Sequence, residues 1–189
     1  MNTTVIITKK DLETINLLAH ARFYSNRKAA NPSIAMHESS CPYYSDIIGL
    51  CGEWAVAIIL GIDPSSVQYV YEQDEFTKVK HTINDIEHVE VRATHYRSGH
   101  LIIKDKDIKE KPNTPFILCI VTLKENSCQV EIKGWQTAIN CAKPEFSKTY
   151  YTTAYHAPQH FLQSMDTLPQ KEEKVKNEDT KDTKINKVI

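Results

Sequence analysis

Residues Phe116 to Leu123 read Phe-Ile-Leu-Cys-Ile-Val-Thr-Leu, an unbroken and largely β-branched apolar run. A strand without polar alternation is one buried on both faces, so this chain must cover two sides of a sheet. Helical patterns upstream and strand patterns on either side of the run make the class mixed α/β. The 189 residues suit one domain with a real core and a tail.

Upstream, Thr8 with Asp11 forms a helix N-cap pair, and Leu12, Ile15, Leu18, Ala19 and Phe23 recur at helical spacing to about Tyr24. That helix buries one face and carries no sign of catalysis. Residues 26–46 read as a loop broken by Pro32 and Pro42. A second helix spans about Asp46 to Leu60, ended by Gly61 with Pro64 just beyond. Residues 65–83 are ambiguous, with Val67 to Tyr71 as one candidate strand. Val89, Val91 and Ala93 alternate with Glu90, Arg92 and Thr94, the period of a half-buried strand. Arg97-Ser98-Gly99 predicts a hairpin turn into a partner strand, Leu101 to Ile103. Gln129 to Trp135 alternates again, and residues 136–142 suit a short helix. From Pro169 the chain is charged and almost without large apolar residues, so burial there cannot offset the entropy of ordering it. The expected organisation is an N-terminal helix and loop (1–45) packed on a core domain (46–168), followed by a disordered charged tail (169–189).

The formal net charge of −1 gives no global field toward nucleic acid or anionic lipid, so a nucleic-acid role needs a local basic face. The opening residues hold too short an apolar run for a signal peptide, and no run nears the ~18 residues of a membrane span. Cys41, Cys51, Cys119, Cys128 and Cys141 are odd in number and lack C-x-x-C spacing, which favours free buried thiols over a disulfide framework or a zinc site. A cytoplasmic protein without membrane contact is the expectation.

Three acidic positions stand out. Glu53 is the one charged side chain between Ile47 and Leu60, and it shares a face with apolar neighbours. A carboxylate there must be paired, hydrogen-bonded, metal-bound or protonated. The plain alternative is a helix-start glutamate exposed at one edge. Glu90 and Arg92 project from one side of their strand, and Asp85 lies where the chain enters it. Acidic groups at a strand mouth with a cation beside them suit a divalent metal bound through oxygen, and equally a solvated surface ion pair. His88, His95 and His100 surround the same strand and turn. Trp54 and Trp135 read as packing residues. No phosphate loop, dinucleotide fingerprint, H-E-x-x-H or G-x-S-x-G is present.

The segment from Asp85 through Glu90-Val-Arg92 to Leu101-Ile-Ile103 resembles the D-x(n)-E-x-K strand and hairpin of PD-(D/E)XK nucleases. Gly52 to Ala57, Pro115 to Val121, Gly134-Trp135 and Ala154 to Gln159 follow in the order found in small bacterial and phage proteins of this type. The resemblance covers residues 45–165. It implies a restriction-endonuclease-like core and a four- or five-stranded sheet. It also implies a nuclease that hydrolyses phosphodiesters, of DNA before RNA, in a phage or mobile-element setting. In such a site Asp85 and Glu90 would hold one or two Mg²⁺ or Mn²⁺ ions with Glu53 as a further ligand. Asp85, Glu90 and Arg92 would carry catalysis, and Arg97, Lys104 and Thr94 would contact nucleic acid. The family's usual lysine is Arg92 here; arginine stays protonated and cannot serve as a general base. The same resemblance leaves open a catalytically silent relative that binds nucleic acid or a host defence protein. A homodimer is a further expectation, because cutting both strands of a duplex often calls for two sites.

Overall fold

The computed structural model describes residues 3–28, 41–69, 84–149 and 153–170. The expected tail from 171 and most of the ambiguous segment, 70–83, lie outside the described residues. Of the candidate strand at Val67 to Tyr71, the part that is described, 67–69, is not a strand.

Two sheets and a layer of helices build the fold. The first sheet has the order β1-β5-β4-β2. It is formed by β1 (Thr3–Ile7), β2 (Glu90–Thr94), β4 (Pro115–Lys124) and β5 (Ser127–Thr137). β1 with β5 and β5 with β4 are antiparallel, whereas β2 runs parallel to β4. The second sheet is antiparallel throughout, with β3 (Leu101–Lys104) and β6 (Ser147–Thr149) on either side of β7 (Thr153–Ala157).

The two-faced burial expected of the apolar run is what organises the molecule. Residues Pro115 to Val121 are all buried. Ile117, Cys119 and Val121 join a core with the helices α1 (Lys9–Lys28) and α2 (Tyr44–Ile59). Phe116, Leu118 and Ile120 join a second core with Leu101, Ile103 and Ala157 of the other sheet and Ala138 and Cys141 of α4 (Ala138–Cys141). Helices, first sheet and second sheet therefore lie as three layers around one strand.

The helices begin and end for local reasons. Thr8 accepts from the Asp11 amide at 3.3 Å and donates to its carboxylate at 2.7 Å, which caps α1. α2 stops at Gly61, whose φ of +72° suits a residue without Cβ. The N-terminal segment is more than a packed appendage: β1 completes the first sheet, with Val5 and Ile7 buried in the same core as α2. None of the five cysteines forms a disulfide and four are buried, as the odd count and spacing suggested. Trp54 and Trp135 are core residues; Trp54 stacks on Tyr69 with ring centroids 5.7 Å apart.

The expected hairpin between β2 and β3 is not formed. The turn exists, closed by the Gly99 amide on the Tyr96 carbonyl at 2.9 Å, but it carries the chain from one sheet to the other. Gln159 pins it there by donating to the carbonyls of Arg97 and Gly99 at 2.8 and 3.0 Å. The reason lies in β4. Its second face needs apolar cover, and Leu101 and Ile103 supply it by pairing with β7 above that face.

Candidate functional site

β2 is an edge strand, and the charged residues gather where it begins. Its alternation is real: Val89, Val91 and Ala93 pack into the helix-side core, which sends Glu90 and Arg92 to the other side. Glu90 is nonetheless buried, so the reading of this strand as a solvated face is overturned. Asp85 precedes the strand and accepts the Val91 amide at 2.8 Å, satisfying a backbone donor on an edge strand. It lies before the strand and outside the sheet's ladder.

Glu53 approaches from α2, ten residues into the helix, and is buried rather than exposed near the helix start. Gly52 lets this happen. A Cβ at Gly52 would stand 2.8 Å from the Ala93 Cβ, so the helix backbone lies directly on β2 at the residue before Glu53. Its charge is met by Arg22 of α1, which donates to both carboxylate oxygens at 2.8 and 2.7 Å and to the Tyr69 carbonyl at 3.0 Å. This bidentate geometry is the strongest form of such a pair. Arg22 was not legible as a site residue, because the first helix alone shows only its buried stripe.

Two cations meet Glu90. Arg92 donates to its Oε2 at 3.2 Å, and Lys111 donates to its Oε1. Arg92 also lies 3.8 Å from Asp85 and 3.2 Å from Asp107, with its guanidinium carbon 4.9 Å from the centroid of the Phe116 ring. Asp107 and Lys111 come from the short helix α3 (Asp105–Glu110) and the residue that ends it. Neither was picked out from the sequence. Their run, Asp-Lys-Asp-Ile-Lys-Glu-Lys, resembles any charged surface turn until the fold brings it to Glu90.

The electrostatics reflect crowding. Burial pushes the Glu53 carboxyl up, and Asp85 and Glu90 push the same way against the pull of Arg22. Glu90 is raised by burial first and then by the charge of Asp85, with Lys111 and Arg92 opposing. For Arg92, burial works against the charge, but Asp107, Asp85 and Glu90 more than offset it and raise its pKa. The charges of Asp85 and Glu90 thus reach Glu53, and that of Asp85 reaches Glu90. Among the described residues, however, no three His, Cys, Asp or Glu side chains are gathered as metal ligands.

The remaining candidates sit elsewhere. Thr94, at the far end of β2, accepts from the Tyr96 amide at 3.3 Å. Arg97 is exposed in the turn beyond it, and its charge acts on Glu131. Lys104 is exposed at the start of α3, where its amide donates to Asp107 at 2.9 Å. The three histidines separate: His88 meets the Pro169 carbonyl at 2.9 Å, His95 packs on Tyr96 and Tyr44, and His100 faces His156. Lys133 pairs with Glu131 at 2.6 Å, and Lys143 lies over the rings of Phe146 and Phe161.

A mixed α/β protein with an ion-paired acidic cluster at a sheet edge is the class these features define. No family model, curated protein or solved structure matches the chain. None of its described helices is long and apolar enough to cross a membrane.

Proposed function

We propose that the chain is a metal-dependent phosphodiesterase of the PD-(D/E)XK type, acting on nucleic acid and on DNA before RNA. The observation that carries this reading is that Arg92 reaches both Asp85, at 3.8 Å, and Glu90, at 3.2 Å, at the start of β2, while the Glu53 carboxyl of α2, raised by burial, is raised further by the charges of both carboxylates. A helix packed on a mixed sheet behind them supports it further. The departure of β3 into a second sheet is a difference from the hairpin the resemblance implied.

The donor set fits Mg²⁺ or Mn²⁺ in chemistry. The oxygens are hard, and magnesium is commonly held by one or two carboxylates together with substrate phosphates. Asp85 and Glu90 would be the protein's share. Glu53 would join them only by releasing Arg22, which holds both its oxygens. When bound, the ion supplies an activated water and charge for the leaving alkoxide. Arg92 then contributes a fixed cation for the phosphate oxygens, held in place by carboxylates and the Phe116 ring. Lys104, exposed beside the residues that hold Asp107, extends that positive edge toward the backbone of a bound strand.

One observation favours the second reading, a silent relative that binds nucleic acid or a host protein. The oxygens of Glu53 and Glu90 are already taken by Arg22, Arg92 and Lys111. Cleavage of labelled plasmid and single-stranded DNA in Mg²⁺ or Mn²⁺ decides between them. The expected outcome is metal-dependent cutting that disappears in Glu90→Ala. A wild type that neither cuts nor binds Mn²⁺ in calorimetry leaves the binding protein as the reading that stands.

A further inference from the structure

The second sheet has one apolar face and one cationic face. Leu101, Ile103 and Ala157 turn toward β4, with Tyr155 packed beside them, which leaves His100, Ile102 and Lys104 on the outer side. The pairing sets Lys104 and Lys148 on either side of Ala154, in one row across the three strands. Their backbones stand about 10 Å apart, two interstrand spacings, with only a methyl group between them. Ile102 lies in the next row, paired with His156 and 40% exposed, and the His100 ring meets that of His156 with centroids 6.4 Å apart. β3, β6 and β7 contain no acidic residue. Among the described residues no carboxylate pairs with Lys104 or Lys148, whereas Lys106, Lys111 and Lys133 each have one. Asp105 and Glu145 flank the face, both exposed. Burial first, and then the charges of Lys148 and His100, hold the His156 imidazole below its ordinary value, and no carboxylate opposes them. The face also leads to the acidic cluster: the Lys104 amide holds Asp107 at 2.9 Å, and Asp107 lies 3.2 Å from Arg92.

We infer that the outer face of the second sheet is a track for single-stranded DNA, with Lys104 and Lys148 on the phosphates and Ile102 and the His100 ring against the bases, leading the strand to the edge of β2. The inference rests on the phosphodiesterase reading and names its substrate as single-stranded. An apolar side chain and a ring set among cations suit unstacked bases, whose faces are open to contact. A duplex would offer this face only its phosphates, because its bases are stacked inside, and Ile102 would meet nothing apolar.

The test reads fluorescence anisotropy of a labelled oligo-dT strand with the full chain in EDTA, where binding is seen without cutting. Wild type is compared with Lys104→Gln, Lys148→Gln, their double variant and Ile102→Glu. Lys9→Gln with Lys10→Gln is the control, on exposed lysines at the start of α1. Thermal denaturation checks that each protein is folded. Each phosphate contact on a single strand adds about 0.7 to the slope of log affinity against log salt. Lys104→Gln and Lys148→Gln should therefore each lose about 5-fold in affinity at ~0.1 M salt, and the double variant about 25-fold, with a slope lower by about 1.4. Ile102→Glu, which sets a carboxylate in the middle of the face, should weaken binding too and serves should a lysine variant fail to fold. The control should bind as wild type does. A loss in Lys104→Gln with none in Lys148→Gln overturns the track, as does a duplex of equal length bound more tightly than the single strand. A wild type that binds poly-glutamate and not the oligonucleotide overturns it in favour of an acidic protein partner. In each of these cases, metal-dependent cutting by the wild type keeps the phosphodiesterase reading. A wild type that neither binds the strand nor cuts removes that reading and this inference together.

Discussion

Arg22 and Glu53 form a largely buried pair whose members depend on each other unequally. Each donor–acceptor contact is short, at 2.8 and 2.7 Å, and Glu53 has almost no contact with solvent. Removing one partner of such a pair leaves an uncompensated charge and costs roughly 3–5 kcal/mol, whereas replacing both with apolar groups is often neutral or better. Arg22→Ala should therefore lower the unfolding free energy by about 3 kcal/mol, near the lower end because Arg22 keeps some exposure. The double change Arg22→Met with Glu53→Leu should recover most of that loss. Urea denaturation of the three proteins checks it. A double variant as unstable as the single one would mean that the pair does more than neutralise Glu53. Protonation offers a second handle on the same cluster. The Glu90 carboxyl is raised above its ordinary value near 4.5 by burial and by Asp85. Between those two values the unfolded chain has released a proton that the folded chain keeps, so the contribution of Glu90 to stability falls as pH rises through that window. Wild type should lose stability relative to Glu90→Gln as pH is raised from about 4.5, seen in denaturation midpoints at several pH values.

At the scale of elements, the seat of α2 on β2 fixes how far Glu53 lies from Glu90. In an open helix, Gly→Ala would gain about 1 kcal/mol of helix propensity. At Gly52 the added methyl would meet the Ala93 Cβ at 2.8 Å, Val91 at 3.3 Å and the Cys119 Cβ at 3.4 Å, side chains fixed within the sheet. Overpacking of this kind costs about 1–3 kcal/mol, so the sign reverses. Gly52→Ala should destabilise the protein, and adding Ala93→Gly, which removes the closest atom, should return part of the loss. Thermal melts of the single and double variants decide it; a stabilised Gly52→Ala would show that the helix can lift from the sheet freely. The failure of the β2–β3 hairpin belongs to this scale too. Gly99 and the residues around it suit a turn, but a turn does not choose which strand the next segment pairs with. Here the second apolar face of β4, which β3 covers, made that choice.

For the molecule as a whole, β4 is shared property. Ile117 faces the helix-side core and Leu118 the core under the second sheet, and both are fully buried. Truncating either side chain should cost about 2–5 kcal/mol. Because one strand joins the two cores, Ile117→Ala and Leu118→Ala should each lower a single unfolding transition, with far-ultraviolet circular dichroism and tryptophan fluorescence coinciding. Two separated transitions in either variant would show that the second sheet unfolds on its own.

The sequence by itself determined the long apolar strand, the two main helices and the side to which each alternating strand turns its apolar residues. The unbroken apolar run at Phe116–Leu123 dictated a strand covered on both faces, and period-2 alternation sent Glu90 and Arg92 together to one side of β2. The isolation of Glu53 among apolar residues left two outcomes, a buried carboxylate whose charge is met or a helix-start glutamate exposed at one edge. These are local facts, because side-chain direction and the cost of burying a charge follow from spacing and composition alone. What only the tertiary structure decided is who the partners are. Arg22 lies 31 residues before Glu53 and Lys111 lies 21 after Glu90, each within a stretch whose own pattern suits an ordinary solvated surface. Opposite charges have no sequence period to announce them; their pairing depends on how α1, α2, β2 and α3 are stacked, and that stacking is set by the apolar faces they bury against β4.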